Sequence, residues 1–216
     1  WGNREWQNYT PFGSGNAVVN DGTLHITAML EGSGQQAGDY SSARMNSRQS
    51  FLYGRFEIRA KMPDYRGPGL WPALWMLGEN ISEIGWPESG EIDLMEYVSW
   101  RPDSVLVTIH SVANNHINGN QIGTGFIPLP TIEEQFHTYG LLWEEQALRF
   151  YIDKPENIVL TIPRPENPTQ DNWPFSKPHY FLMNIAVGGT LGGVKGVDDS
   201  IFPATMMVDY VKVWQL

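Results

Sequence analysis

Short segments in which apolar and polar residues alternate recur about every ten residues, and they limit this chain to an all-β fold. The clearest example runs from Phe51 to Met62, where apolar side chains fall on one face and charged side chains on the other. A period of two is typical of a strand with one buried face. Turn residues such as Asn20-Asp21-Gly22 separate the segments, and no amphipathic helix of normal length interrupts them. The pattern predicts a β-sandwich or barrel.

The predicted strands cover most of the chain. They are a strand pair within 16–30, then 40–47, 51–62, 70–77, 90–97, 105–110, 136–143, 147–153, 158–162, 180–187 and 206–214. No internal repeat, low-complexity segment or linker divides the sequence. We therefore expect residues 1–216 to form a single domain.

Composition excludes several classes of protein. The 216 residues suffice for one domain with a substantial core, and they contain no apolar run long enough to span a membrane. We also expect no signal peptide in this chain. The absence of cysteine excludes disulfides and thiolate metal sites. A net charge of −10 argues against nucleic acid as a partner, and also against a sulfated or uronic polysaccharide. A neutral polymer remains compatible with it.

Three carboxylates lie within six positions in the stretch 90–97. Glu91 and Asp93 share one face of the predicted strand, whereas Glu96 lies an odd number of steps away and would leave the opposite face. An unpaired carboxylate in the opposite layer is costly. A β-bulge near Leu94-Met95 would reset the alternation and bring all three acids to one surface.

The bulged strand suggests a reaction. Four effective steps place the Cα atoms of Glu91 and Glu96 about 13 Å apart. Side chains that lean together would bring their carboxyl groups to roughly 5 Å, the separation in a retaining glycosidase. Alternating acids are more commonly a solvated face. Four neighbouring tryptophans favour a sugar site instead, because apolar sugar faces stack on aromatic rings; these are Trp71, Trp75, Trp86 and Trp100.

The run Glu-Ile-Asp-Leu-Met-Glu at 91–96 resembles the catalytic motif of glycoside hydrolase family 16, and its extra residue before the last Glu resembles the laminarinase branch, the endo-1,3-β-glucanases. Further similarity extends over nearly the whole chain. The matching stretches are Trp1-Gly2-Asn3 with Glu5, Gln7, Tyr9 and Thr10, then 53–57, 70–77, 184–189 and 208–211. The resemblance implies a concanavalin A-like jelly-roll sandwich of two curved antiparallel sheets with an open concave substrate cleft.

The resemblance also implies roles for individual residues. Glu91 would be the nucleophile of a retaining double displacement, Glu96 the general acid/base, and Asp93 the residue that orients and tunes the nucleophile. The substrate, a neutral β-glucan, would be bound by Trp71, Trp75 and Trp86, with polar contacts from Asn3, Arg44 and His110. A histidine at a strand end is as often structural as functional, so His110 stays open between the two. We expect His137 to be structural.

No cofactor is expected for catalysis. Family members often bind a structural Ca²⁺ through backbone carbonyls and one Asp, and Gly22 and Asp209 match two of those ligands. The third would lie in an N-terminal strand containing Asp-Glu-Phe, which we expect to be absent from this chain. Asp209 has the simpler alternative of an exposed acid. We further expect a secreted, extracellular monomer.

Three other functions remain open. A legume-type lectin shares the sandwich architecture and would bind sugar without turnover. A metal site built from the three carboxylates is disfavoured because no histidine accompanies them in the sequence. The third alternative lies within the family, as a mixed-linkage glucanase (lichenase), an agarase or a carrageenase. The negative charge disfavours carrageenan and leaves agarose as the neutral rival.

Overall fold

The computed structural model describes residues 2–64 and 67–215. Trp1, the first residue of the N-terminal motif, lies outside the described residues, as do 65, 66 and 216. The strands of the described chain are β1 (Gln7–Tyr9), β2 (Ala17–Asn20), β3 (Thr23–Leu30), β4 (Tyr40–Ser42), β5 (Arg44–Phe51), β6 (Gly54–Lys61), β7 (Leu70–Gly78), β8 (Glu91–Glu96), β9 (Ser104–His110), β10 (Ile122–Gly123), β11 (Ile127–Pro128), β12 (His137–Glu144), β13 (Ala147–Ile152), β14 (Ile158–Pro163), β15 (His179–Val187) and β16 (Ala204–Trp214). Two single-turn helices are α1 (Ile81–Ile84) and α2 (Gly189–Gly192). Neither of these helices, nor any other in the described ranges, has the length and apolar character to cross a membrane.

The strands form two sheets. The larger has the order β1-β4-β3-β16-β6-β12-β13-β14, with β2 paired to β3. The smaller has the order β10-β9-β8-β7-β15-β5, with β11 paired to β9. Pairing between the named strands is antiparallel apart from β1 with β4, which is parallel. The prediction of an all-β sandwich is confirmed, and the short parallel pair is its one departure from wholly antiparallel sheets in the described chain.

The inner faces of the two sheets share one hydrophobic core. On β6 the alternation in the sequence is obeyed, because Phe56, Ile58 and Ala60 are fully buried. Phe56 meets Phe181 of the opposite sheet, with ring centroids 5.9 Å apart. Each large side chain buried in this way contributes about 1.5–3 kcal/mol. The sheet that contains β8 is therefore held firmly on its inner face.

The predicted strand 40–47 is two strands in different sheets. The chain leaves the larger sheet at Ser42 and enters the smaller one at Arg44, with the buried Ala43 between them. The sequence pattern does not predict this change of sheet, because the residues before and after Ala43 all have extended strand dihedrals. The crossing matters for the site, since it starts β5 with Arg44 on the smaller sheet.

Candidate active site

The strand β8 contains a bulge. Asp93 pairs with Thr108 of β9, and Glu96 pairs with Leu106. Three steps along β8 therefore match two steps along β9, which means that β8 has one extra residue in this interval. The register with β7 shifts at the same place. The sequence-based prediction of a bulge between Asp93 and Glu96 is confirmed.

The bulge separates the strand into a core face and a cleft face. Leu94 and Met95 are adjacent in sequence, yet both belong to the hydrophobic core. Glu91, Asp93 and Glu96 all line a cavity on the opposite, outer face of the sheet. A regular strand would have sent one of the two apolar residues outward and Glu96 inward. The extra residue therefore brings the three acids together.

Two adjoining cavities form the cleft. We call the first the aromatic lobe; it has a volume of about 460 Å³ and contains Tyr9, Trp71, Trp75 and Trp86. We call the second the threonine lobe; it has a volume of about 330 Å³ and contains Thr108, Thr124 and Thr190. The residues that line both lobes are Asn3, Trp71, Glu91, Glu96 and His116. Glu91 and Glu96 thus lie where the two lobes meet, and Asp93 lies in the aromatic lobe beside them.

Glu91 is held by a tryptophan from the loop before β8. Trp86 Nε1 donates a hydrogen bond to Glu91 Oε2 at 3.0 Å. His110 Nε2 lies 3.8 Å from Glu91 Oε1, and Asp93 adds a hydrogen bond to the same carboxyl group. The hydrogen bonds from Trp86 and Asp93 lower the pKa of Glu91 and fix its orientation, while burial raises that pKa by more.

Glu96 is held by donors from both neighbouring strands. Trp71 Nε1 donates to Oε1 at 3.1 Å, and Thr108 Oγ1 donates to Oε2 at 3.2 Å. The sequence reasoning missed Thr108. It is two residues from His110 on β9, so both side chains leave the same face as the acids. Recognising the pairing of β8 with β9 would have found it.

Asp93 lies between Glu91 and a histidine. It is buried, and its Oδ2 has no hydrogen-bond partner among the described residues, although His110 Nε2 approaches to 3.5 Å. Burial lowers the pKa of His110 to about 4, and the nearby His116 adds to this effect, so His110 is neutral near neutrality. His110 lines the threonine lobe and is therefore part of the cleft. The sequence-based argument that no histidine accompanies the acids is wrong, because the pairing of β9 with β8 places His110 opposite Glu91.

All three acids have raised pKa values. Burial is the main cause for each, because it disfavours the charged form. Charge repulsion from Glu96 further raises the pKa of Glu91, and repulsion from both glutamates raises that of Asp93. The cluster therefore retains protons at a pH where an isolated carboxyl group would be ionised. A hydrogen bond from protonated Asp93 lowers the pKa of Glu91 in turn.

The predicted tryptophan shelf faces the cleft. Trp71 and Trp75 are half-exposed on β7, whereas Leu74 and Met76 beside them are buried. Trp75 Nε1 donates to Asn184 Oδ1 at 2.7 Å, and the Arg44 guanidinium lies 4.8 Å from the Trp75 ring centroid. These contacts fix the ring plane on which an apolar sugar face can pack.

The N-terminal segment lines the aromatic lobe, and its Asn3 also lines the threonine lobe. Asn3 has a left-handed backbone with φ 57°, an uncommon conformation for a residue other than glycine. It contacts the carboxyl group of Glu5, which also accepts a 2.7 Å hydrogen bond from Gln7. Both Asn3 and Glu5 line the aromatic lobe. The sequence reasoning named Asn3 but gave no role to Glu5, whose side chain leaves the same face as those of Gln7 and Tyr9.

His137 and the predicted calcium ligands lie outside the cleft. His137, on β12 of the larger sheet, contacts Thr131 and Asp153 and is buried, as expected for a structural residue. Gly22 lies in the turn between β2 and β3, and Asp209 lies at a register shift in β16, where it forms an ion pair with Arg59. Calcium takes six to eight oxygen ligands. Asp209 and Gly22 supply fewer oxygen ligands than that, and the Asp209 carboxylate is already paired with a guanidinium. Calcium binding therefore stays a prediction.

The fold and the site together define a class of protein. A two-sheet sandwich carries paired, protonatable carboxyl groups on one strand, at the middle of a tryptophan-lined cleft, as in glycoside-cleaving enzymes. Residues 5–212 match the model of the glycosyl hydrolases family 16. The chain belongs to this family, and the resemblance noted in the sequence is confirmed.

Individual relatives agree with this assignment. A "Beta-glucanase" of Rhodothermus marinus is 43% identical over 221 residues, which cover 100% of this chain and 76% of the relative. The crystal structure of a laminarinase from Flavobacterium sp. UMI-01 is 42% identical, with a TM-score of 0.87 and coverage of 100% of this chain and 87% of that one. An "Endo-1,3-1,4-beta-glycanase EglC" of Rhizobium meliloti (strain 1021) is 35% identical over 96% of this chain and 42% of its own length.

Proposed function

We propose that this chain is a retaining endo-hydrolase that cleaves internal β-1,3-glucosidic bonds of a laminarin-type glucan. The single observation that carries the proposal is the bulge, which brings Glu91 and Glu96 to one face where the two lobes of the cleft meet. The similarity to a laminarinase and a β-glucanase supports the choice of linkage. A cleft with two lobes accommodates sugars on both sides of the scissile bond, which suits internal cleavage.

In this proposal Glu91 is the nucleophile and Glu96 the general acid/base. Glu96 gives its proton to the glycosidic oxygen while the Glu91 carboxylate attacks the anomeric carbon, so that the C–O bond breaks and a glycosyl ester forms. The charge of Glu91 then disappears, which lowers the pKa of Glu96. Glu96 can now remove a proton from water, and the resulting attack releases the sugar and regenerates both groups.

Hydrogen bonds hold both glutamates in place for these roles. Trp86 and Asp93 donate to Glu91, where they offset part of the rise that burial causes in its pKa. Trp71 and Thr108 do the same for Glu96. Glu96 lies at the junction with the threonine lobe, opposite Leu106 of β9. No cofactor enters any step, because both proton transfers and the covalent bond involve side chains of β8.

Asp93→Asn should reduce kcat roughly tenfold, which corresponds to about 1.4 kcal/mol of transition-state stabilisation. The amide can still donate to Glu91, but it cannot release the proton that Asp93 shares with that carboxyl group. Steady-state kinetics on laminarin test this, with Asp93→Ala as the more disruptive comparison. Inactivity of Asp93→Asn equal to that of a Glu91 variant would mean that Asp93 is itself a reacting group.

Trp71→Phe should move the alkaline limb of the kcat/KM profile to higher pH. Trp71 donates to Glu96, and this donation lowers the pKa of that carboxyl group. Its removal favours the protonated form, so the general acid keeps its proton to a higher pH. Thr108→Val should act in the same direction, whereas Trp75→Phe, whose indole bonds Asn184, should leave the limb in place. A limb that stays or moves downward in Trp71→Phe contradicts the role of Glu96.

A panel of neutral polysaccharides tests the proposed substrate. Purified protein is incubated with laminarin, lichenan and agarose, and the released oligosaccharides are sized and their linkages determined. We expect a ladder of laminarioligosaccharides of intermediate length from laminarin. Release of glucose alone would contradict internal cleavage, and turnover of agarose without laminarin would contradict the choice of substrate.

A mixed-linkage 1,3-1,4-glucan is the second candidate substrate, because a relative named for that activity is 35% identical over 96% of this chain. Cleavage of lichenan at a rate equal to that of laminarin would favour it. A lectin-like domain that only binds sugar is the alternative from another class. The intact set of three acids with their donors disfavours it, since binding alone does not require a raised pKa.

Three further properties belong to the proposal. Residues 1–216 act as one catalytic domain, which the continuous core supports. The protein is secreted, since a polysaccharide substrate is met outside the cell, and it works as a monomer because the cleft is built from this chain alone. Culture fractionation and light scattering test the last two.

A further inference from the structure

The amide-rich loop that follows β9 contains a histidine at the junction of the two lobes. His116 lines both cavities together with Glu91 and Glu96, although it lies on neither neighbouring strand. The sequence pattern marked residues 114–125 only as a loop, and neither the fold nor the proposed mechanism gives His116 a task. Its position places it beside the bond that the two acids would cleave.

The His116 ring packs against the groups that surround the nucleophile. Its centroid lies 5.1 Å from that of Trp86, with the planes tilted by 39°. It meets the His110 ring edge-on, at 5.3 Å and 85°. Trp86 in turn donates to Glu91. The three rings therefore form a wall on the Glu91 side of the cleft, and His116 is the outermost of them.

The backbone that presents His116 is fixed by amide side chains. Asn115 is buried and donates to the carbonyl oxygens of Ser111 and Val112, both at 3.1 Å. Its Oδ1 accepts from the Asn118 backbone at 3.1 Å, so the turn around His116 is closed on itself. A loop that is already ordered loses little conformational entropy when a ligand binds. The segment is thus suited to recognition.

The chemistry of the His116 side chain suits an uncharged sugar. The ring is exposed on one side, and its partial burial against its neighbours lowers its pKa, so it is uncharged near pH 7. A neutral imidazole has one donor and one acceptor, the same pair of functions that a sugar hydroxyl offers. The adjacent Ile117 is largely exposed and lines the aromatic lobe, where it adds an apolar surface. Polar and apolar groups next to each other are what a pyranose ring requires.

We propose that His116, presented with Ile117 on the amide-fixed loop, is a substrate-contacting residue that hydrogen-bonds a hydroxyl of the sugar at the acids. The inference rests on the proposed function and adds a recognition element to its site. The imidazole contacts the substrate directly, and its packing on Trp86 and His110 fixes the orientation of the ring.

Binding in the absence of turnover tests the inference. Calorimetric titration with laminarihexaose is made on the Glu91→Gln variant and on the same variant with His116→Ala, His116→Phe or Asn118→Ala. We expect His116→Ala and His116→Phe each to weaken binding roughly tenfold, the loss of about one hydrogen bond. Asn118→Ala is the matched control on the same loop, because Asn118 is exposed and lines neither lobe. It should bind as the parent does.

The phenylalanine variant separates recognition from packing. Phenylalanine keeps a ring against Trp86 and His110 but has no nitrogen. Parent-like affinity in His116→Phe with weakened binding in His116→Ala would overturn the inference in favour of packing alone, and unchanged affinity in both would overturn it outright. In either case laminarin hydrolysis by the wild-type chain leaves the proposed function standing. A Glu91→Gln parent that binds no laminarihexaose, with a wild type that cleaves no laminarin, would remove both.

Discussion

Glu91→Gln should lower kcat on laminarin on the order of 10⁴-fold or more, and Glu96→Gln by about 10²–10⁴-fold. Both substitutions keep the side-chain volume. The first removes the anion that would form the glycosyl ester, and the second removes the proton for the leaving oxygen. Initial rates from reducing-sugar release measure both. Glu83→Gln is the matched control, since Glu83 is an exposed acid that lines neither lobe and should retain full activity.

Rescue by a small anion distinguishes the two roles. In Glu91→Ala, azide can enter the space left by the carboxylate and attack the anomeric carbon from the same side, giving a glycosyl azide of inverted configuration. In Glu96→Ala, the ester with Glu91 still forms when the leaving group is good, and azide then gives a product of retained configuration. The opposite pairing of variant and product would exchange the assignments of the two glutamates.

Loss of activity in Glu91→Gln should occur without loss of stability. Burial raises the pKa of Glu91 above the value it has in the unfolded chain. Between the unfolded-state pKa and the folded-state pKa of Glu91, the folded state therefore binds more protons than the unfolded state. The contribution of Glu91 to stability falls as the pH rises through its folded-state pKa. Gln carries no charge at any pH. Thermal unfolding of Glu91→Gln near neutral pH should give a Tm equal to or above that of the wild type, and a lower Tm would contradict the raised pKa.

Leu94→Ala and Met95→Ala should each reduce the free energy of unfolding by about 2–5 kcal/mol. In a regular strand two neighbours leave opposite faces, so only one of them would be buried. Here the bulge places both in the core, with exposures of 2% and 0%. A large loss of stability at two consecutive positions is therefore expected from a bulged strand and not from a regular one. Chemical denaturation of the two variants measures it.

Val19→Ala provides the matched control for this pair. Val19 lies on β2 and is 73% exposed, so its truncation should change stability by no more than about 0.5 kcal/mol. If either Leu94→Ala or Met95→Ala matched this control, the side chain concerned would not lie in the core. The bulge would then be misplaced, and Glu96 would lose its reason to face the cleft.

Local periodicity was sufficient for most strands and failed where the chain changes sheets. The alternation over 51–62 predicted β6 and its buried face, and the turn at Asp21-Gly22 predicted the β2–β3 hairpin. The segment 40–47 was predicted as one strand, because the passage between sheets leaves the extended dihedrals on both sides unchanged. β10 was also missed, since two residues cannot show a period.

The candidate site divides in the same way. The acids and Trp71 and Trp75 could be predicted because they lie on two strands with recognisable patterns. Thr108 and His116 could not, because their relation to the acids depends on pairing and on a loop that returns to the cleft.

The sequence by itself determined the all-β architecture, the need for an extra residue in the acidic strand and the identity of the acids, since each follows from the two-residue period of a strand and the high cost of burying a carboxyl group alone. Only the tertiary structure decided which side chains hold and tune those acids. Trp71, Thr108 and His110 come from strands on either side of β8. Their partners are set by the register between strands, and that register is fixed by packing of the whole core, so no local pattern records it.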